Sequence, residues 1–292
     1  MAIYDYVTET QKKVEERLFK ESVTEGIFSK QYSFAGVKTI VTKSVDNVPL
    51  TPYDRTLTDN RQEGTIGNRF GPTIELASTK NEYTMEHEVK YNLGWEKSSN
   101  SDEHEIRTAS SVISRQDREI VIPYRDKYRL NKIALGAGLN RYGMTTAADL
   151  GRTKILETLL KARAEMANRY VAMGKQVLYI GETNAIEMKL ADQVIGSDII
   201  SEKPIVNGTI GKLGGFQLKL IPDDYLPVGC AFLIVTKGSA WSPVKVKTSR
   251  VNTKPEDFDG TKVQYHEYFD CFVNKMRADT IFAGWTSAQP GA

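Results

Sequence analysis

The stretch EYTMEHEVKYNL, residues 82–93, constrains the fold of this chain more than any other, because polar and apolar side chains alternate along its length. Tyr83, Met85, Val89, Tyr91 and Leu93 share one face with His87, while Glu82, Thr84, Glu86, Glu88, Lys90 and Asn92 share the other. Side chains of a strand point alternately to its two faces, so the pattern predicts a strand with one covered and one wet face. TIELAS, residues 73–78, precedes it across Thr79-Lys80-Asn81 and is expected to pair with it as a hairpin. A lone hairpin is marginal in water, so its apolar face needs a partner, which another subunit can supply. Tyr83, Met85, Val89, Tyr91 and Leu93 are thus the candidate inter-subunit contacts.

Around this strand the chain mixes helical and strand signals. Val7, Val14, Leu18 and Phe19 mark an amphipathic helix ending near Gly26, and residues 32–57, rich in β-branched side chains and then in proline, read as an extended arm. Residues 60–72 read as a flexible connection. From Asp102 to Leu135 the spacing predicts a long helix with Ile106, Ala109, Ile113, Ile120, Tyr124 and Tyr128 on its buried side. Pro123 should kink or break it, since proline lacks a donor and its ring meets the carbonyl four residues back.

A second helix, residues 147–173, carries Ile155, Leu159, Ala162, Met166, Tyr170 and Met173 inward, with Glu157–Lys161 and Glu165–Arg169 pairs outside and Gly174 as its stop. Then come a strand at Val177–Ile180, a turn at Gly181, and a helix at Asn184–Val194 whose Ile186, Leu190 and Val194 pack back on the sheet. Residues 205–236 hold short strands punctuated by glycine, and residues 261–281 are again strand-like. The fold class is α+β, with strand-rich segments first and last.

Composition narrows the function. The 292 residues, 40% hydrophobic and 26% charged, suit one large domain or two to three small ones. No apolar run approaches the roughly 20 residues that span a bilayer, and residues 1–30 lack a signal-peptide segment, so the expectation is a cytoplasmic protein without a membrane partner. A net charge of +2, from 39 basic and 37 acidic residues, offers no chain-wide field for nucleic acid. The local cluster Lys237, Lys245, Lys247 and Arg250 could touch phosphate beside Trp241, although lysines guarding a strand edge explain it better.

Chemistry is hard to find. The strand–Gly181–helix corner has one glycine where a dinucleotide fingerprint needs three, and in GTIGKLGG the lysine is followed by Leu213 where a phosphate loop needs Ser or Thr. His87, His104 and His266 lie far apart without zinc-site spacing, and His87 is expected to be a partly buried, hydrogen-bonded ring. Cys230 and Cys271 sit in apolar surroundings as reduced, buried thiols. Asp223-Asp224 reads as a turn. No catalytic residue, cofactor or metal is expected.

Several stretches, in chain order, resemble the major capsid proteins of tailed bacteriophages, with the Hong Kong 97-type fold. AGVKTIVTKSV with PLTPYDR resembles the arm strand; EYTMEHEVKYNL, one strand of the extended hairpin called the E-loop; ASSVISRQDREIVIPYRDKYRLNKIA, the long spine helix. ILETLLKARAEMANRYV and GKQVLYIGETNAIEMKL resemble the axial domain, NGTIGKLGGFQLKLIPDDYLP its glycine turn and strand, and HEYFDCFVNKMRADTIFAG the closing strands of the peripheral domain. Two features depart from the family: the E-loop tip is the short STKN, and Tyr124 stands where a glutamate often follows the proline.

The resemblance implies an N-terminal helix and arm (1–60), an E-loop hairpin (61–100), a peripheral domain with the spine helix (101–139 and 237–292) and an axial domain (140–236). It further implies a structural protein, not an enzyme, that self-assembles into hexamers and pentamers of an icosahedral shell in the host cytoplasm. Implied partners are other copies of the chain, packaged double-stranded DNA held by weak non-specific contact, and scaffolding, portal and decoration proteins. An encapsulin-type compartment shell is the alternative with the same fold; a cytosolic α/β enzyme is a remote one.

Overall fold

A computed structural model describes residues 22–30, 38–45, 47–53, 70, 73–98, 108–143, 154–172, 174–189, 209–213 and 215–286. The chain divides into a main unit, Met1–Ala35 with Met85–Ala292, and a small unit, Gly36–Thr84. The expectations for Val7, Val14, Leu18, Phe19, His104, Ile106, Met173, Leu190 and Val194 lie outside the described residues.

The small unit is a two-stranded antiparallel ribbon of β1 (Thr39–Val45) and β2 (Ser78–Thr84), with Thr39 opposite Thr84 and Val45 opposite Ser78. This corrects the expected hairpin. The alternating run divides at Met85–His87, its first half ending in β2 and its second forming β3 (Glu88–Glu96) in the main unit. TIVTKSV, rich in β-branched residues, takes the place beside β2 that TIELAS was expected to fill, since Glu, Leu and Ala are weaker strand formers. Thr73–Ala77 stays outside regular structure and exposed.

Among the described residues the main unit holds a six-stranded mixed sheet. Its order is β4 (Leu139–Arg141), β13 (Ile281–Trp285), β8 (Cys230–Thr236), β5 (Gln176–Gly181), β7 (Phe216–Ile221) and β6 (Thr209–Leu213). Every residue of β5 is buried, because both faces of the sheet are covered. Period-two alternation sends Leu178, Ile180, Phe232 and Ile234 to one side, where they pack with Ile155, Leu159, Ala162 and Met166 of a helix at Ile155–Asn168. Val177, Tyr179, Leu233 and Val235 go to the other side and meet Leu130, Ile133 and Ala134 of a helix at Ile122–Leu135.

That second helix continues α1 (Ala109–Gln116) through a π-turn at Asp117–Val121 and is called α2; the Ile155–Asn168 helix is α3. Pro123 therefore neither ends the helix nor leaves an open gap. The wider turn, with Ile122 N–H donating to the Asp117 carbonyl, makes room where the proline ring would meet the carbonyl of Glu119. The inserted residue also rotates the register by about 100°. Ile120 and Tyr124, expected inside, are exposed, whereas Val121, Asp126, Arg129, Leu130 and Ile133 are buried.

Two further expectations shift. Helix α3 ends at Asn168, not near Gly174, in a Schellman cap: Val171 N–H donates to the Met166 carbonyl (3.2 Å) and Tyr170 N–H to that of Ala167 (2.9 Å). Tyr170 takes the left-handed position of this cap with φ 59° and is 97% exposed, not buried. Helix α4 spans Glu182–Lys189 and turns Ala185 to the sheet, leaving Ile186 exposed.

Candidate functional site

A three-stranded antiparallel sheet of β10 (Val244–Asn252), β11 (Gly260–Phe269) and β3 carries one face against the helices. Its anchor is charged: the buried Glu267 carboxylate accepts from Arg125 Nη2 of α2 (2.6 Å) and from the Tyr265 hydroxyl (2.8 Å). Tyr265 stacks on Tyr91 at 4.8 Å. Beside them Val89, Tyr91, Val121 and Tyr124 line a cleft of about 370 Å³ between sheet and helix.

His87, at the break before β3, is held as expected by aromatic and hydrogen-bond contacts. Its ring stacks on Tyr128 at 3.9 Å, meets Phe269 edge-on at 5.0 Å, and lies 3.1 Å from the Tyr124 hydroxyl. Burial is the chief cause that lowers its pKa, aided by Lys132 and opposed by Asp270 and Glu267. Tyr128 in turn donates to Asp270 Oδ1 (2.8 Å), whose other oxygen accepts from Glu86 N–H (3.0 Å). The entrance to β3 is thus tied to α2 by side chains far apart in sequence.

A second polar seat receives residues 22–30, a bent strap and not the end of a helix. Buried Asp126 accepts from Ser22 Oγ (2.8 Å), Val23 N–H (2.8 Å) and Thr24 Oγ1 (2.5 Å). Lys219 Nζ and the Tyr179 hydroxyl donate to the Val23 carbonyl at 2.6 and 3.1 Å, and Arg129 donates to Thr24 and Ser242. Gly238 N–H and the Ala240 carbonyl complete the seat, pairing with Ile27 and Ser29. Buried charges are tolerated only when paired and hydrogen-bonded, so strap and seat are one structural unit.

The strand–glycine–helix corner binds an anion, but its own. Asp223 sits over the start of α4, with Oδ1 accepting from Thr183 N–H (3.3 Å) and Oδ2 from the Thr183 hydroxyl (2.5 Å). A carboxylate there satisfies free amides and opposes the helix dipole, as a phosphate would. Gly181 is required by this contact: a Cβ on it would lie 2.1 Å from Asp223 Oδ1. The turn read at Asp223-Asp224 is present, but sequence spacing gave no hint that it reaches across to Gly181.

Other candidates resolve plainly. Cys271 is buried and Cys230 half-buried; burial pushes both thiols up, to about 12, away from reactivity at neutral pH. No group of His, Cys, Asp and Glu side chains able to hold a metal occurs among the described residues. No helix there is long and apolar enough to cross a membrane. The basic cluster disperses: Trp241 is buried, Lys247 lies 3.9 Å from Asp117 of the π-turn, and Arg250 is exposed on the edge strand β10.

Of the candidate contact residues, Met85 is fully buried and Tyr83 is 7% exposed, whereas Val89, Tyr91 and Leu93 are half-buried on the helix-facing side of β3. The exposed apolar surface sits mainly elsewhere. In the small unit Val41, Val45, Val48, Leu50, Tyr53, Phe70, Ile74 and Leu76 all stand in water, Leu50 completely. So many exposed apolar side chains on so small a unit exceed the single, scattered ones ordinary on a protein surface.

No protein-family model and no curated protein sequence matches the chain. Solved structures do. A structure of Mycobacterium phage Che8 superposes with a TM-score of 0.72 over 97% of this chain and 98% of that one, at 13% identity. The capsid structure of the cyanophage P-SCSP1u matches at 0.72 over 96% and 92%, also at 13% identity, and the capsid of Ralstonia phage GP4 at 0.65 over 99% and 97%, at 12%. The fold is that of a bacteriophage capsid subunit. Within this capsid fold the Gly181 corner is framework, its helix start closed by Asp223.

Proposed function

We propose that the chain is the major capsid protein of a tailed double-stranded DNA bacteriophage, of the Hong Kong 97 type, whose role is structural and whose place is the virion shell. The observation that carries this reading is the near end-to-end likeness to capsid structures, with 96% of this chain and 92% of the other covered for the cyanophage P-SCSP1u capsid and 99% and 97% for that of Ralstonia phage GP4. In this reading residues 61–100 act as the E-loop and 1–60 as the N-terminal helix and arm, and their parts other than the strap and β3, which pack within the chain, reach neighbouring subunits. Residues 140–236 make contacts around the capsomer axis, and the spine helix with residues 237–292 forms the peripheral domain. Assembly would proceed in the host cytoplasm, with scaffolding, portal and decoration proteins as partners.

The ribbon's physics supports the assignment. Two strands cannot bury one another's side chains, so exposed Val41, Val45, Leu50, Ile74 and Leu76 gain their stabilisation from another surface. Several modest contacts per subunit, made together, bind far more tightly than any one alone, and closed symmetry limits their growth. Electron microscopy of the purified recombinant chain is the test. Closed shells are expected from the natural sequence, and a Leu50→Ser, Ile74→Ser, Leu76→Ser variant should remain folded while failing to close them. A natural chain that stays monomeric at assembly concentrations, with and without co-expressed scaffold, would overturn the reading.

A further inference from the structure

The three-stranded sheet has a second face, turned away from the helices. Register places Lys90, His266 and Thr248 in one row across β3, β11 and β10, and Asn92, Gln264 and Arg250 in the next. Together these side chains line an open concavity of about 590 Å³. Neither Lys90 nor Arg250 forms an ion pair among the described residues, and both are exposed. His266 lies 3.8 Å from Glu88, which stands one row away, opposite Tyr268.

The character of this face is unusual for the chain. Lys90 and Arg250 stand on the two outer strands in adjacent rows, two interstrand spacings across and two residues along, or roughly 12 Å apart, with the amides of Asn92 and Gln264 and the hydroxyl of Thr248 around and between them. Cations flanked by neutral hydrogen-bond donors are the side chains that contact phosphate oxygens in protein–DNA interfaces. A duplex carries a charge about every 1.7 Å along its axis, so both cations can meet phosphates of one duplex wherever along it the sheet lies. Nothing in the rows supplies the fixed, groove-entering element that base readout needs.

We infer that the open face of the β10–β11–β3 sheet is a phosphodiester-binding surface, through which the subunit holds double-stranded DNA without regard to sequence. This rests on the capsid reading for the source of the DNA, and it names where a chain of near-zero net charge meets a polyanion. Lys90 Nζ and the Arg250 guanidinium donate to non-bridging phosphate oxygens, while Asn92, Gln264 and Thr248 add neutral hydrogen bonds. No covalent bond is made or broken, and binding weakens with salt because each contact releases condensed counterions, a release that gains less free energy as bulk salt rises.

The test uses full-length protein and a labelled 30-base-pair duplex in fluorescence anisotropy, across about 50 to 200 mM salt. Lys90→Gln with Arg250→Gln should weaken binding several-fold and lower the slope of log affinity against log salt by about 1.8, or 0.9 for each lost contact. A control of equal charge change, Lys127→Gln with Lys161→Gln, should leave both quantities unchanged. Equal weakening in test and control pairs would overturn the inference, as would tighter binding of a poly-glutamate peptide than of duplex at the same face. The same preparations are viewed by electron microscopy. Natural-sequence shells together with an unaffected Lys90/Arg250 variant would overturn this surface alone, whereas absence of shells bears on the capsid reading.

Discussion

The six-stranded sheet and the two-stranded ribbon treat the same kinds of side chain in opposite ways. Val177, Val235 and Ile281 of the sheet have no exposed surface, while Val41 and Val45 of the ribbon are about half exposed. Helices cover the sheet from both sides; the ribbon has one strand for each strand. The stabilisation of the sheet therefore lies inside the chain, and that of the ribbon lies outside it. Apolar surface is thus divided between a part closed by folding and a part that, in the proposed capsid reading, is left for assembly.

Mutations can break this contrast. The largest loss of stability should follow Trp285→Ala in the sheet, where a fully buried ring leaves a cavity worth about 3–5 kcal/mol in chemical denaturation. Asp223→Ala should be milder, about 1 kcal/mol for a lost helix cap. Gly181→Ala should be markedly destabilising alone and partly relieved by Asp223→Ala, because the added methyl group collides with that carboxylate. Additive effects in that double variant would break the account of the corner.

Smaller effects sharpen the comparison. His87 has a lowered pKa, so the unfolded chain binds its proton more readily than the folded one. The stabilisation held by the neutral ring should be complete above its ordinary value of 6.5 and fade as pH falls through the lower folded value. Denaturation midpoints at pH 7.5 and 5 should differ less in His87→Phe than in the natural chain. Tyr170→Gly should raise stability by about 0.5–1 kcal/mol, since glycine adopts the left-handed cap without strain. Leu50→Ser, in the small unit beyond β1, should change it least, within about 0.5 kcal/mol, while reducing shell yield; a large drop in folding stability would show that Leu50 is already packed.

Much of the fold was legible because it is local. Helix α3 follows from the spacing of Ile155, Leu159, Ala162 and Met166, and the burial of β5 from an apolar run stopped by glycine. The strand character of residues 88–93 was equally plain, but its partner was not. Alternation states which side chains share a face and says nothing of which strand lies alongside, so β3 was assigned to TIELAS and not to β11, whose residues lie far along the chain. The π-turn escaped for a related reason: one inserted residue rotates everything before or after it, exchanging Ile120 and Tyr124 for Val121 and Asp126. Buried Asp126, Arg129 and Glu267 read as surface charges until their partners, about 100 or more residues away, are known. Lys90 and Arg250 show the same limit, since only register brings them onto one face.

The strap at residues 22–30 has a consequence for the timing of folding. It is made before the seat that holds it, which includes Lys219, Gly238, Ala240 and Ser242. The sheet beneath it is completed by β13, inserted between β4 and β8 and made later still. During synthesis the early segment must wait for nearly the whole body, and its contacts carry a long loop-closure penalty that slows their formation. A chain released before β13 thus lacks a central strand of the sheet and the firm seat of its strap, so completion of the main unit acts as a length check on the folded product.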